Sequence, residues 1–158
     1  WTAGRLDSRY TGKDYDNGGE EPDNDPNFYG IDAGYTAAIN SWARDTLGFK
    51  TDREYQSISG IGGQWDWRIG GRDTNAYLNV APYIGQALRE NSGLRVFVGQ
   101  GYYDFATPFF AAEYSLSRTG IPQDRIEYKY YDAGHMMYIR DEDRHKLSSD
   151  IRAFIRAR

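Results

Sequence analysis

The stretch LRVFVGQGYYDFATPFF, residues 94–110, decides how this chain is read. Its first part, Leu94 to Gln100, is a short apolar run of the kind that forms a strand buried on both faces. Beyond the run, Asp104 falls a few residues past the strand end. Thr107 and Pro108 then supply a cap and a first helical position, so the spacing predicts a helix from there to about Arg118. A strand that delivers an acid and turns at once into a helix is a unit of an α/β layered fold.

Working outward, the same grammar repeats. IEYKYYD, residues 126–132, reads as a second strand, and AGHMMY follows it, placing His135 just beyond its end. Upstream, Val80, Ile84, Ala87 and Leu88 follow helical spacing, and Asn91-Ser92-Gly93 closes that helix. At the end of the chain Leu147, Ile151, Phe154 and Ile155 form the apolar stripe of a last helix, with Asp141, Glu142 and Asp143 at its positive end. Helix, strand, helix, strand, helix implies parallel strands joined by crossover helices. Two such strands alone leave unpaired edges, so the expectation is the last part of a larger sheet. In open α/β sheets functional groups gather beyond the carboxyl ends of the strands. Neighbouring parallel strands lie about 5 Å apart, close enough for Asp104 and His135 to meet.

The N-terminal half is less regular. Residues 11–27, TGKDYDNGGEEPDNDPN, are nearly free of aliphatic side chains and read as a surface loop or linker. From Asp32, Tyr35, Ile39, Trp42 and Ala43 recur at helical spacing, with Gly48 as the stop. Residues 57–75 are Gly-rich; Gly60 and Gly62 lack a preceding strand and read as a turn rather than a phosphate loop. Asp14, Asp16 and Gly19 have some of the spacing of a calcium loop, but Gly18 stands at a ligand position, and the segment reads as a solvated turn. The organisation expected is thus a linker over residues 1–29 and one incomplete α/β domain over 30–158.

Composition excludes several classes. The 158 residues carry a formal charge of −4, with 39% hydrophobic and 27% charged side chains, a globular balance without a basic stripe for nucleic acid. No apolar run is long enough to span a membrane. Without cysteine there is neither a disulfide nor a cysteine-ligated zinc, and no cofactor is expected. His145 falls on the last helix and reads as a surface residue.

An acid hydrogen-bonded to a histidine fixes the imidazole tautomer and stabilises the imidazolium formed when the other ring nitrogen takes a proton. In α/β-hydrolases the acid and the histidine come last in chain order, after a serine in a G-x-S-x-G turn. No serine here has that setting; Ser59, beside Gly60, comes nearest, with Ser57 and Ile61 at the flanks.

VFVGQGYYDFATPF and YDAGHMMY resemble the acid and histidine motifs of the serine carboxypeptidases, and RLDSRYTG, residues 5–12, resembles the segment leading out of that family's cap region. The bacterial members look closest. The resemblance spans nearly the whole chain, with the two late motifs its specific part; GQGYYD departs from the family's GDxD, with Gln100 directly after the glycine where many relatives place an acid. It implies an α/β-hydrolase fold with Asp104 as triad acid, His135 as general base, and Met136 lining the leaving-group side of the substrate site. Among the aromatic residues after the first strand, Tyr103 is the candidate substrate contact and the others read as core. The chain would then be the C-terminal part of a secreted or periplasmic peptidase. Its partners would be a peptide or protein substrate and the missing part that carries the serine, and the open sheet would favour self-association. An acyltransferase using the same triad, and a non-catalytic module that binds through its sheet edge, are the alternatives.

Overall fold

The computed structural model describes residues 1–13, 25–53, 55, 57, 64–69, 78–117 and 120–157. The chain divides into two units, one formed by residues 1–4 and 10–66 and the other by residues 5–9 and 67–158. This division differs from a cut between residues 29 and 30. A short piece of the expected linker, Arg5–Arg9, belongs to the unit that holds both strand-end motifs.

In the first unit, β1 (Thr2–Ala3) pairs antiparallel with β2 (Thr11–Gly12). The stretch expected to be loop therefore begins as a strand and ends as a helix, because α1 (Pro26–Ser41) starts before Asp32. The local chemistry explains the early start. Asp25 is extended and its carboxylate accepts the Asn27 N–H at 2.8 Å, while Pro26 takes the first helical turn, where its missing N–H costs nothing. The helix widens into a π-turn at Trp42–Thr46, and Gly48, at φ 67°, ends it as its sequence position suggests. Tyr35 and Trp42, which recur at helical spacing, are about half exposed. The phosphate-loop glycines Gly60 and Gly62, the calcium-like Asp14, Asp16 and Gly19, Ser59 and Arg118 lie outside the described residues.

The second unit is mixed helix and strand. Its element order is α2 (Ala81–Glu90), β3 (Val96–Gly101), α3 (Phe109–Ser117), β4 (Ile126–Tyr131) and α4 (Asp141–Arg156). β3 and β4 are parallel, in register from Val96 opposite Ile126 to Gly101 opposite Tyr131. Strand alternation sorts the side chains into two faces. Val96, Val98, Ile126 and Tyr128, with Ile84 of α2, pack against a buried cluster of Ala81 and Leu88 from α2, Leu116 from α3, and Ile121. The inward face of α2 is rotated from the expected one: Ala81, Gly85 and Leu88 are buried, whereas Val80 and Ala87 are exposed.

The opposite face meets α4. Phe97 and Phe154 are in edge contact at 5.5 Å, and Arg95 lies over the Phe154 ring while donating to the Phe154 and Ala157 carbonyls. Tyr131 is fully buried, donates to Asp150 Oδ2 at 3.1 Å and carries the Lys146 ammonium over its ring. The α4 stripe is only partly covered, since Ile155 is 72% exposed. The strand interiors are half-buried rather than sealed, consistent with a small sheet of two strands. Among the described residues, no helix is long and apolar enough to cross a membrane.

Candidate active site

Because β3 and β4 run in the same direction and in register, both chains leave the sheet at the same end. Gly101 and Tyr131 stand opposite each other there, and the two exits fold toward one another. Tyr102 N–H donates to the Tyr131 carbonyl at 3.1 Å and Tyr103 N–H to the Ala133 carbonyl at 3.0 Å, so the ladder continues past the strands. The segment Arg5–Arg9 ties the two exits together. Leu6 O accepts the His135 N–H at 2.7 Å, Arg5 O accepts the Phe105 N–H at 3.0 Å, and Ser8 N–H donates to Tyr103 O at 2.9 Å.

An ion pair holds that segment in shape. Asp7, 7% exposed, accepts from the Arg9 backbone N–H and from Nε, both at 3.0 Å, and from an Arg9 terminal nitrogen at 2.7 Å. The other Arg9 terminal nitrogen reaches the Asp132 carbonyl, and its guanidinium lies 4.4 Å from the centre of the Tyr103 ring. Gly134 passes directly over this segment: a Cβ there would be 2.5 Å from Asp7 Cβ and closer still to the Leu6 carbonyl oxygen.

The result is an acid and a histidine in contact. His135 Nδ1 lies 2.8 Å from Asp104 Oδ2, with the carboxylate 4% exposed and the imidazole 43% exposed. Asp104 Oδ1 accepts the backbone N–H groups of Ala106 and Thr107, each at 2.8 Å, and Oδ2 also accepts the Thr107 hydroxyl at 2.6 Å. Burial works to raise the Asp104 pKa, but the Thr107 side-chain and backbone hydrogen bonds and the His135 contact outweigh it, and the net direction is down. The carboxylate is therefore ionised and accepts only, so the ring proton sits on Nδ1. Nε2 is left as a base, and among the described residues no group hydrogen-bonds it. An ionised, buried acid that orients a solvent-accessible imidazole is equipped to move a proton between a nucleophile and a leaving group.

No family model, curated protein or solved structure matches this chain. The chemistry of the pair rests on its own geometry.

Of the four residues singled out in the sequence, Asp104 and His135 are brought into contact. Tyr103, the candidate substrate contact, is half-buried with the Arg9 guanidinium over its ring. Met136 is half-buried at the start of the turn Met137–Ile139, with its carbonyl accepting the Ile139 N–H at 3.2 Å. Thr107 was expected to cap α3; its hydroxyl instead serves Asp104. The D-F-A-T spacing was the available signal, since an Asp carboxylate readily collects donors two and three residues on. His145 is exposed on α4.

The carboxylates give a pH prediction. For Asp7, burial again pushes the pKa up, and the Arg9 hydrogen bonds and charge, with the Gly134 N–H, bring it below the ordinary value. A depressed folded-state value means that Asp7 stabilises the fold fully above the ordinary aspartate range, and that this contribution is lost as pH falls through the depressed value. In Asp7→Asn, stability should therefore fall less steeply with acid below about pH 4, by up to about 1.4 kcal/mol per pH unit. Urea titrations across that range measure the slope; a slope equal to that of the parent protein contradicts the assignment.

Proposed function

We propose that Asp104 and His135 are the acid and general base of a serine-type carboxypeptidase of the α/β-hydrolase fold, with the serine nucleophile supplied from sequence outside these residues. The observation that carries the proposal is the 2.8 Å contact between His135 Nδ1 and a buried, ionised Asp104, formed at the carboxyl ends of two adjacent parallel strands. Its chain order, acid before histidine, is that of the hydrolases the two motifs resemble.

The chemistry follows from the tautomer. With its proton on Nδ1, His135 takes the serine proton at Nε2 as the hydroxyl oxygen attacks the carbonyl carbon of the C-terminal peptide bond. Asp104 stabilises the imidazolium without being protonated itself. Collapse of the tetrahedral intermediate breaks the C–N bond, and Nε2–H protonates the departing amino group. Water then attacks the acyl-enzyme, giving its proton to Nε2, and the serine recovers that proton as the new carboxylate leaves. In this reading Met136, next in sequence to the base, lines the side where the leaving amino acid departs.

The test uses the intact reading frame that contains these residues. A fluorophosphonate should label one serine outside residues 1–158, and labelling should abolish release of the C-terminal residue from an N-blocked dipeptide. A protein that takes no label and releases no amino acid refutes the proposal.

A further inference from the structure

Thr107 occupies a position in the site that a helix cap does not require. Its hydroxyl has one proton and donates it to Asp104 Oδ2 at 2.6 Å. The same oxygen lies 3.2 Å from His135 Nδ1, toward which it can present only a lone pair. Oδ2 thus receives two donors, the hydroxyl and the imidazole N–H, while the Thr107 backbone N–H holds Oδ1. The residue grips both oxygens of the carboxylate.

We propose that Thr107 is a positioning residue of the Asp104–His135 pair: its hydroxyl fixes the carboxylate toward Nδ1 and takes up part of the negative charge that the imidazolium would otherwise receive alone. The inference rests on reading the pair as a proton relay. A carboxylate that already carries a strong donor attracts a neighbouring cation less. The hydroxyl therefore shares Oδ2 with the imidazole N–H and loosens the hold of the carboxylate on the ring.

Among the described residues, the segments that meet at the pair carry further charged groups: Arg5, Asp7 and Arg9 on Arg5–Arg9, the latter two paired with each other, Asp132 at the β4 exit, and Arg140 and Asp143 at the start of α4, which are joined to Asp132 and to one another. Among the described residues only Asp104 and Thr107 hydrogen-bond the imidazole ring.

The experiment is a proton NMR titration of the 158-residue chain, which has two histidines, so His145→Gln assigns the spectrum. Thr107→Val removes the hydroxyl and keeps the backbone donor to Oδ1. The titration midpoint of the His135 ring should rise by about half a pH unit or more relative to the parent chain. The Nδ1 proton should also move downfield as its bond to Asp104 strengthens. Thr107→Ser, which restores the donor, should return both signals to the parent values. Should the valine variant not fold, Thr107→Ala removes the same group. An unchanged midpoint in whichever variant folds overturns the proposal, as does a serine variant that behaves like valine. In the intact enzyme the acidic limb of kcat/KM should move up with the midpoint. The titration needs no substrate and no nucleophile. It therefore fails independently of the carboxypeptidase reading, which fails when the intact protein releases no C-terminal residue.

Discussion

Asp104→Asn is expected, under the proposed carboxypeptidase reading, to lower kcat about ten-thousand-fold while leaving the fold in place. The argument rests on which oxygen is committed to what. Oδ1 accepts two backbone N–H groups, from Ala106 and Thr107. An amide nitrogen cannot accept, so the asparagine oxygen must take the Oδ1 position and its NH₂ must take that of Oδ2. There the NH₂ faces His135 Nδ1, which becomes the acceptor and leaves the ring proton on Nε2. An imidazole protonated on Nε2 cannot take a proton there from the nucleophile of the proposed mechanism. The Thr107 hydroxyl can turn to accept from the new NH₂, so the local cost is that of exchanging charged for neutral hydrogen bonds, about 1–2 kcal/mol. Nitrogen NMR of the ring should show the proton moved from Nδ1 to Nε2. Because the pair acts as a unit, His135→Ala should lose at least as much activity, and the double variant little more than the worse single one. A kcat within tenfold of that of the parent protein would remove Asp104 from the proposed mechanism.

The pairing just described was readable from sequence because each of its parts is local. Val96, Phe97 and Val98 ahead of a Gly-rich exit mark a strand, and so do Tyr128, Tyr130 and Tyr131. Helical periods between strands then fix the parallel sense, which places both exits at one end. What stayed hidden depends on distant neighbours. Arg9 reaches a carbonyl 123 residues along the chain, at Asp132, and no local pattern announces that. Thr107 was legible as a helix start, yet its hydroxyl binds a carboxylate and a backbone N–H equally well, and only the nearby aspartate decides between them. For α1 the signal was present: Asp25-Pro26 is a cap followed by a first-turn proline, obscured by the polar run before it. In α2 the period was right and Ile84 and Leu88 pack on the strand side as expected, but Ala81 and Gly85 rather than Val80 and Ala87 complete the buried face.

Gly101→Ala should be severely damaging to the second unit, costing about 3 kcal/mol. Gly101 is buried at the last position of β3, and the turn after β4 folds directly across it. A Cβ there would lie 2.8 Å from the Ala133 carbonyl carbon and closer still to the Ala133 and Gly134 carbonyl oxygens. Those are backbone atoms, so no rotamer change relieves the clash. The turn itself must move, and it carries the Ala133 carbonyl that receives the Tyr103 N–H, together with His135. Stability and the acid–histidine contact should therefore fail together. Gly99, in the same strand, is the internal control. The three atoms nearest a Cβ at Gly99 all belong to side chains, of Phe97, Tyr131 and Met137, at 3.3 to 3.5 Å, which can give by the few tenths of an ångström required. Gly99→Ala should cost about 1 kcal/mol or less and leave the Nδ1 proton signal of His135 unchanged. Urea unfolding of the two variants, with that signal followed in each, separates the cases. Equal stability losses at the two positions would mean that the turn does not need the bare backbone of Gly101 to bring His135 to Asp104.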